Sequence, residues 1–365
     1  MISVSEATAI ILSHSMETGK EEIAIQLACG RILREEVRAD RNFPPFDRIA
    51  MDGVALHFDS YKNGNRNFPI EGIQAAGEQP KKLKNNDSCI EVMTGAMLPV
   101  GADTVVRYED LEIKDQSASV LLQNLNPRDH IHHQGQDAKQ NEILLSPGTI
   151  ISPAEVALLA SVGKKTTTVS KFPKTAIISS GDELVPVDLT PLPYQIRRSN
   201  SYALQAALLE LGCPADQFHI PDQPEILEAE VKKILSHYEV LIFSGGVSKG
   251  KFDYVPQTLE QNGIQKRFHQ VSQKPGKPLW FGTSSKHIVF ALPGNPVSTY
   301  MCFYRYIKPW LIKSLQGNLK SSHAILAKDF SFKPALTYFL QVKIENEKGQ
   351  TYGVSTSWWG LRRFC

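Results

Sequence analysis

Three short glycine-containing segments have the residue types that bind anions. Each follows a run of apolar residues, and they are Ser179-Ser180-Gly181-Asp182-Glu183, Ser244-Gly245-Gly246-Val247-Ser248 and Pro293-Gly294-Asn295-Pro296. Glycine lets a backbone approach an anion closely, and the helix that follows such a loop offers free N–H groups to phosphate. A single Ser-Gly-Gly turn after a strand is more often only a turn. Three such loops together predict a phosphorylated or otherwise anionic ligand.

Two lysines lie in a short segment that prolines stiffen, Lys274-Pro275-Gly276-Lys277-Pro278. Lysine is a compact positive charge that suits phosphate and other oxyanions. In isolation this segment would be interpreted as a solvated turn. Its position just before the strand that leads to Pro293 favours a role for Lys274 and Lys277 in the anion site.

Carboxylates beside the glycine loops indicate a divalent cation, because magnesium is held by one or two carboxylates together with substrate oxygens. The acidic residues concerned are Asp182, Glu183, Asp222 and Asp253. Asp222 could instead cap a helix, and Asp182 could be an ordinary turn residue. Asp253 could be only a surface partner of Lys251. Glu183, between Gly181 and two apolar residues, is the best prediction for a metal ligand.

The N-terminal half carries a second set of polar residues among prolines and small residues. They occur in Phe43–Ala55, Met93-Thr94-Gly95-Ala96, Gly101–Val106 and Gly135-Gln136-Asp137. Loops with this much apolar mass usually have a packing or binding role. Asp52-Gly53 could equally be a plain hairpin turn. The cluster His130, His132 and His133 could bind a metal at alternating strand positions, although no third ligand type accompanies it at zinc spacing.

Composition limits the classes of protein to which the chain can belong. Its 365 residues, 42% of them hydrophobic, predict two or three domains. The net charge of +2, from 40 basic and 38 acidic residues, lacks the excess that nucleic-acid binding requires, so we expect no nucleic-acid partner. Five cysteines without C-x-x-C spacing suit a reducing cytoplasm. We predict neither a signal peptide nor a membrane span.

Helix and strand periodicities change along the chain. Ser3 and Glu6 form a capping box that begins an amphipathic helix, whereas residues 20–150 are mostly strand and loop. Ser152-Pro153 begins a short helix that Gly163 ends. After Lys320, alternating apolar residues at Phe330 and Phe332 and from Tyr338 to Ile344 predict antiparallel strands.

Residues from Lys174 to about Gln316 alternate between strand and helix. Thr175–Ile178, Val240–Phe243 and His287–Leu292 are continuous apolar runs of the kind found in parallel sheets. Between them, Asn200 can cap one helix, and Asp222 with Glu225 can start the next. This order predicts right-handed β-α-β units in an open, doubly wound α/β sheet. Ligands of such sheets bind at the carboxyl ends of the strands, where the three glycine loops lie.

The motifs taken in order resemble the molybdopterin molybdenumtransferase family, which includes MoeA and the E domain of gephyrin. Those that carry the resemblance run from Pro44 to Ser298, and they are Pro-Pro-Phe-Asp-Arg-x-Ala-Met-Asp-Gly, Met-Thr-Gly-Ala, Gly-Ala-Asp-Thr-Val-Val, Gly-Gln-Asp, Ser-Ser-Gly-Asp-Glu-Leu, Ser-Gly-Gly-Val-Ser, Lys-Pro-Gly-Lys-Pro and Leu-Pro-Gly-Asn-Pro-Val-Ser. Seven or eight motifs in family order make chance negligible. The resemblance extends to about residue 345.

The resemblance implies a multidomain α/β plus β protein that forms an elongated homodimer. Residues 1–150 would hold the N-terminal helix and two interleaved β-rich domains, about 1–26 with 46–140 and about 27–45 with 141–173. Residues 174–318 would form the doubly wound molybdopterin-binding domain, and 319–365 an incomplete C-terminal β domain. The α/β domain of one subunit would face N-terminal segments of the other, so that the two chains share each active site.

The implied reaction is attack of molybdate on adenylylated molybdopterin with a divalent cation such as Mg²⁺, which yields molybdenum cofactor and AMP. Asp52, Glu183 and Asp253 would be catalytic, and Glu183 and Asp253 would hold the metal. Asp52, Thr94 and Asp137 would come from the partner chain. The substrate-binding residues would be Thr94, Asp137, Ser180, Gly181, Asp222, Gly245, Gly246, Ser248, Lys274, Lys277, Pro293, Gly294, Asn295 and Pro296. A molybdopterin adenylyltransferase and apo-molybdoenzymes would be partners.

The chain departs from the family pattern in three places. His132, His133 and Gln134 stand where arginines are usual, and Lys251 replaces an acidic residue. The final Gly360-Leu361-Arg362-Arg363-Phe364-Cys365 stands where relatives have a Gly-Ser-Gly-Asp-Phe type loop, and one inserted base suffices to produce it. We therefore expect a frame shift, or else a genuinely shortened protein. In either case we expect poor packing from about Lys320 onward and lowered activity.

Two other functions remain open. Molybdopterin adenylyltransferase uses a similar α/β domain, but that smaller family lacks the N-terminal half and the Asp52 loop. A non-catalytic dimer that binds molybdopterin or acts as a scaffold would follow from a damaged C-terminal domain. An assay for metal-dependent AMP release distinguishes these functions.

Overall fold

A computed structural model describes residues 1–247, 254–318, 323–347 and 350–355. Its helices are mostly short. The α-helices are α1 (Val4–Ser13), α2 (Phe58–Lys62), α3 (Pro153–Ser161), α4 (Asn200–Glu210), α5 (Pro224–Leu235), α6 (Val255–Gln261), α7 (Pro296–Cys302) and α8 (Lys308–Ser314). Two 3-10 turns (Ile25–Leu27 and Tyr108–Asp110) and one π-helical turn (Phe303–Ile307) accompany them.

The strands in chain order are β1 (Lys20–Ala24), β2 (Val37–Arg38), β3 (Arg48–Ile49), β4 (Gly53–Leu56), β5 (Asn67–Gln74), β6 (Cys89–Val92), β7 (Thr104–Arg107), β8 (Leu111–Lys114), β9 (Ser117–Val120), β10 (Ile131–His132), β11 (Ile143–Leu145), β12 (Thr166–Ser170), β13 (Thr175–Ser180), β14 (Leu184–Val185), β15 (Ile196–Arg197), β16 (Ala215–Ile220), β17 (Val240–Ser244), β18 (Gln265–His269), β19 (Gln273–Lys274), β20 (Trp280–Thr283), β21 (Ile288–Leu292), β22 (Ile325–Leu326), β23 (Thr337–Tyr338), β24 (Val342–Glu347) and β25 (Gln350–Ser355).

The chain forms two compact units. Unit 1 comprises Met1–Glu35, Pro147–Val156 and the chain from Lys165 onward, whereas unit 2 comprises Glu36–Ser146 and Ala157–Lys164. No helix among the described residues is long and apolar enough to cross a bilayer.

The six-stranded sheet of unit 1 has the order β16-β13-β17-β21-β20-β18. The first four strands are parallel, which confirms the predicted doubly wound α/β domain. Strand β20 pairs antiparallel with β21, and β18 pairs antiparallel with β20. These two strands extend the predicted sheet at one edge. The connection from β20 to β21, Ser284–His287, is far too short for a parallel crossover, so these two strands must pair as a hairpin.

Both faces of this sheet are covered, which explains its apolar strands. Ile177, Ile242 and Phe290 pack with α1, α4, α7 and α8 on one face. Their neighbours Ile178 and Leu241 point to the other face and pack with α5 and α6. Side chains alternate between faces along a strand, so a strand buried on both sides is a continuous hydrophobic run.

The first helix begins as predicted. Ser3 caps it by accepting from the Glu6 N–H at 3.2 Å, and the Glu6 carboxylate accepts from the Ser3 N–H at 2.7 Å. Within unit 1, the Trp310 Nε1–H donates to the His14 carbonyl at 3.0 Å. The capping box is confirmed, and α1 is a structural part of the α/β unit.

Strand β1 pairs antiparallel with β12, from Lys20 opposite Ser170 to Ala24 opposite Thr166. These two segments were assigned to different domains from the sequence. Isolated bridges at Ile32–Ile150 and Leu33–Val169 continue the same association. The division into four domains stays a prediction. Residues 20–24, predicted in the first interleaved domain, are hydrogen-bonded to residues 166–170, predicted in the second.

Unit 2 contains a second six-stranded sheet of order β7-β4-β6-β5-β9-β8. Buried residues on its two faces form separate cores, one around Ile49 and Val105 and one around Val54 and Phe68. Strand and loop dominate this part of the chain, as the sequence predicts for residues 20–150. This sheet places the Asp52 loop directly before β4.

The described C-terminal residues form a small three-stranded sheet of order β22-β25-β24. Strand β23 instead pairs in parallel with β19. Phe330 and Phe332, predicted on a strand, lie outside the strands and stack on Tyr338 with ring centres 5.3 and 4.5 Å apart. Beyond Leu315, no hydrophobic side chain in the described part of the chain is buried. The expected frame-shifted end, 361–365, lies outside the described residues.

Candidate functional site

The loops predicted to bind an anion come together at the carboxyl end of the unit 1 sheet. They follow the ends of β13, β17 and β21. A cavity of about 450 Å³ opens between them. Of the predicted site residues, those that line it are Ser180, Glu183, Gly245, Gly294 and Pro296.

The glycine at position 245 lets two of these loops touch. Its φ is +99°, and a Cβ there would lie 2.8 Å from the Ser180 carbonyl oxygen. Gly294 lies on its other side, since a Cβ on Gly294 would be 3.7 Å from the Gly245 Cα. Any larger residue at 245 would push the first two loops apart.

Asp222 is oriented toward the cavity loops instead of capping a helix. Helix α5 begins at Pro224 with Gln223 as its N-cap, so the capping explanation for Asp222 is wrong. Its carboxylate accepts a short hydrogen bond from the buried Ser180 hydroxyl, and its N–H donates to Asp182 Oδ1 at 3.1 Å. Two hydrogen bonds therefore join Asp222 to the segment at the end of β13, one at Ser180 and one at Asp182.

The Glu183 carboxylate folds back over Gly181. A Cβ on Gly181 would lie 2.6 Å from Glu183 Oε2, and Glu183 itself is exposed at the cavity wall. Among the described residues, no three His, Cys, Asp or Glu side chains are close enough to hold a metal by themselves.

The predicted lysines belong to a neighbouring loop and do not line the cavity. Lys274 and Lys277 are both exposed. Lys274 Nζ lies 5.9 Å from the ring centre of Phe332. The loop is held from below by Gln273, whose buried Nε2 donates to the Gly276 carbonyl at 2.9 Å. The two lysines are thus exposed on a loop whose base is buried.

The loop after β21 turns directly into α7. Asn295 caps this helix by accepting from the Ser298 N–H at 3.2 Å, and Pro296 is its first residue. The buried Thr299 hydroxyl donates to the Pro293 carbonyl at 2.5 Å. Asn295 and Pro293 are thus fixed by the helix, while the exposed Gly294 backbone faces the cavity.

In unit 2, Asp52 and Thr94 form a closely joined pair. Asp52 Oδ1 accepts from the Thr94 N–H at 2.6 Å and from its hydroxyl at 2.8 Å. These two hydrogen bonds, the backbone one foremost, lower the pKa of Asp52. Gly53 already belongs to β4 and has no positive φ, so a type I′ hairpin turn is excluded.

Asp137 belongs to a second polar group in unit 2. Arg48 donates to His132 Nδ1 at 3.0 Å, and His132 Nε2 lies 2.8 Å from Asp137 Oδ1. Because Nδ1 accepts, the ring proton belongs on Nε2, which donates to Asp137. His132 is thus occupied by protein partners. The histidine cluster forms no metal site among the described residues.

Two family models match this chain. Residues 2–163 match the family described as MoeA N-terminal region (domain I and II). Residues 176–313 match the family described as probable molybdopterin binding domain.

Full-length relatives decide the family. The chain is 39% identical to the molybdopterin molybdenumtransferase of Synechocystis sp., with 95% of this chain and 87% of that protein covered. It is 31% identical to the Bacillus subtilis protein of the same name, with 96% and 84% covered. The chain belongs to the molybdopterin molybdenumtransferase family. Two crystal structures of the Pyrococcus horikoshii MoeA protein match at 29% and 26% identity with TM-scores of 0.77 and 0.80, each covering 98% of this chain and 90% of that one.

Two predicted site residues of this molybdopterin molybdenumtransferase family member, Ser248 and Asp253, lie outside the described residues. The structure also places at the cavity two residues that sequence reasoning missed, Asn200 and Arg198. Asn200 was interpreted as a cap but is the first residue of α4. Its Nδ2 donates at 2.8 Å to both the Ser244 hydroxyl and the Gly294 carbonyl. The contacting residues are distant in sequence, so no local sequence pattern predicts these hydrogen bonds.

The buried cysteines of this family member are not reactive groups. Burial raises the pKa of Cys89 and Cys302 to about 12 and that of Cys213 to about 11. Thiols with such pKa values carry almost no thiolate at neutral pH.

Proposed function

We propose that this chain is the transferase that inserts molybdenum from molybdate into adenylylated molybdopterin, with release of AMP and molybdenum cofactor. The observation that carries the proposal is the cavity of about 450 Å³ where three strand-end loops meet, in a chain of the molybdopterin molybdenumtransferase family. The family supplies the reaction, and the cavity supplies a place for an anionic substrate.

The cavity suits a phosphate-bearing ligand in shape and chemistry. Gly294 exposes backbone at its wall, whereas the Gly245 N–H donates to the Leu292 carbonyl at 3.1 Å, and Ser244 lines the cavity as well. Backbone N–H groups at strand ends bind oxyanions without any change of protonation. Lys274 and Lys277 add positive charge on the neighbouring loop, where we propose that they hold molybdate.

The acidic residues fit a divalent cation only together with substrate. Magnesium is commonly bound through one or two carboxylates plus substrate oxygens, and Glu183 with Asp253 would provide the carboxylates. When bound, the cation would neutralise charge on the phosphate that leaves. The Ser180 hydroxyl holds Asp222, which in turn holds Asp182, so these residues position the loop that carries Glu183.

The role of the protein is then mainly positioning and electrostatic stabilisation. The loops after β13, β17 and β21 would hold molybdate and the pterin in one geometry. This converts a bimolecular step into an effectively unimolecular one. Preorganised hydrogen-bond donors and the lysines would stabilise the negative charge that develops on phosphate and molybdate oxygens.

We further propose a homodimer in which Asp52, Thr94 and Asp137 of one subunit complete the site of the other. The lowered pKa of Asp52 keeps this exposed carboxylate ionised across the neutral range. In the cell, a molybdopterin adenylyltransferase would supply the substrate and apo-molybdoenzymes would receive the product. We place this activity in the cytoplasm, which agrees with free thiols at Cys29, Cys89, Cys213 and Cys302.

The test is AMP release from adenylylated molybdopterin by the purified chain with molybdate and Mg²⁺. We expect turnover that chelation abolishes and that Glu183→Gln lowers by about a hundredfold or more, the usual size of an electrostatic contribution. Tight binding of the pterin without AMP release would instead identify a scaffold. Synthesis of the adenylylated pterin from ATP would identify an adenylyltransferase.

A further inference from the structure

Arg198 lies at the wall of the cavity on the segment that follows the Glu183 loop. Its N–H donates to the Val185 carbonyl at 3.0 Å, and two residues earlier the Ile196 N–H donates to the Glu183 carbonyl at 2.9 Å. The parallel pair β14–β15 thereby ties the Arg198 backbone to the loop after β13. The guanidinium is consequently attached to a fixed part of the site.

The side chain of Arg198 is half-buried and has no hydrogen-bond or ion-pair partner among the described residues. Its Nε is inaccessible to solvent and makes no hydrogen bond, and the described residues provide no carboxylate oxygen within 4.0 Å of its guanidinium nitrogens. Neighbouring Arg197, by contrast, donates through Nε to the Leu189 carbonyl at 3.0 Å. Of these two adjacent arginines at the cavity, Arg198 is the one whose Nε makes no hydrogen bond among the described residues.

Nearby carboxylates do not neutralise this charge. The pKa of His219 is lowered first by partial desolvation and then by Arg198, while Asp182 and Asp222 act on the same ring in the opposite direction. All four groups are therefore close together. Asp222 is already bonded to the Ser180 hydroxyl, and Asp182 to the Asp222 N–H. Each acid accepts one of these hydrogen bonds, and neither pairs with the guanidinium within 4.0 Å.

A partly desolvated cation without a counterion is unfavourable, and an anion from solution relieves it. The guanidinium plane presents paired N–H donors that match two oxygens of a tetrahedral oxyanion. Gly245 and Gly294 line the same cavity. Arg198 therefore lines a space that a phosphate-sized group can enter.

We propose that Arg198 binds a tetrahedral oxyanion group of the substrates in this cavity. The group is either the phosphate of the pterin nucleotide or molybdate, which have the same shape and similar acceptor oxygens. The proposal rests on the proposed function, and it adds a binding residue that the loop motifs do not contain.

The experiment measures binding of inorganic pyrophosphate and of molybdate separately by isothermal titration calorimetry to the purified full chain. Arg198→Gln removes the charge, and Arg198→Lys keeps the charge but loses the paired donors. Arg267→Gln is the matched control, because Arg267 is an exposed arginine of β18 that does not line this cavity. Lys274→Gln tests the proposed function in the same assay.

We expect Arg198→Gln to weaken binding by about tenfold or more, Arg198→Lys to recover part of the loss, and Arg267→Gln to leave affinity unchanged. The melting temperature of Arg198→Gln should stay close to that of the wild type, since its side chain loses no partner among the described residues. A loss confined to pyrophosphate assigns Arg198 to the pterin phosphate, and one confined to molybdate assigns it to the metal oxyanion.

Unchanged affinity in Arg198→Gln, alongside weakened binding in Lys274→Gln, overturns the role of Arg198 and leaves the proposed function standing. Unchanged affinity in both variants counts against the whole site. A wild-type chain that binds neither oxyanion also overturns the inference. An equal loss in Arg267→Gln would show an effect of net charge and would exclude a specific contact.

Discussion

Thr94 donates both its backbone N–H and its hydroxyl to the same carboxylate oxygen of Asp52. Two donors on one oxygen favour the ionised form, which lowers the pKa of Asp52. An acid whose pKa is lowered in the folded state stabilises that state above its unfolded pKa, and this contribution disappears as the pH falls through the folded value.

The first prediction separates these two donors. Thr94→Val removes the hydroxyl and keeps the N–H, so the pKa of Asp52 should rise only part of the way to its ordinary value, because the backbone bond has the larger effect. Thr94→Ser should preserve the wild-type pKa. Titration of the Asp52 carboxyl carbon by NMR measures both. A pKa in Thr94→Val that equals the wild-type value would show that the hydroxyl bond has no effect.

The second prediction concerns the shared site. Glu183→Ala and Asp52→Asn should each be nearly inactive, whereas a mixture that forms heterodimers should recover up to about half of the wild-type activity per heterodimer, since one of its two sites is intact. Mass spectrometry of differently tagged subunits establishes that heterodimers form. If they do form and remain as inactive as their parents, Asp52 and Glu183 do not act across an interface.

The third prediction is that Lys274 acts through its charge. Lys274→Gln should raise the molybdate concentration needed for half-maximal turnover by about tenfold and change the melting temperature little, because an exposed lysine contributes little to folding. Lys286→Gln, at an exposed lysine of the β20–β21 connection, is the control. A large drop in melting temperature with unaltered turnover would make Lys274 a structural residue.

The fourth prediction uses two glycines with similar backbone angles. Gly245 and Gly263 have φ values of +99° and +81°, but only a Cβ at 245 meets another atom within 4 Å. Each alanine substitution should cost about 1 kcal/mol of folding free energy from the backbone conformation. Gly245→Ala should cost more and also weaken oxyanion binding, since it displaces the Ser180 carbonyl. Chemical denaturation and calorimetry compare the two, and equal effects would contradict a role for the close approach.

Sequence patterns predicted the elements that depend on local or face-wide regularity. The Ser3–Glu6 capping box joins residues three apart, and the apolar runs at Thr175–Ile178 and Val240–Phe243 record burial on both faces of the sheet. Sheet edges were harder to predict. Apolar periodicity does not distinguish parallel from antiparallel pairing. It therefore could not predict the antiparallel pairs that β20 forms with β21 and with β18.

Side-chain partners distant in sequence limited the prediction of the site. The glycine loops were recognised because their backbone requirement is written in their own residues. Asn200 resembled a cap, yet its partners are 44 and 94 residues away. Arg198 stands next to another arginine and has no motif, so only its burial and missing partner distinguish it. Such properties come from the packed structure.

Asn200 also has a consequence for the motions of the site. Its side-chain amide donates both to Ser244 at the end of β17 and to Gly294 in the loop after β21. Movement of either segment away from Asn200 therefore breaks one of these two hydrogen bonds. Segments linked in this way open as one cooperative unit in native-state hydrogen exchange. The Gly245 N–H, which donates to the Leu292 carbonyl at 3.1 Å, should therefore exchange more slowly when a substrate stabilises either segment.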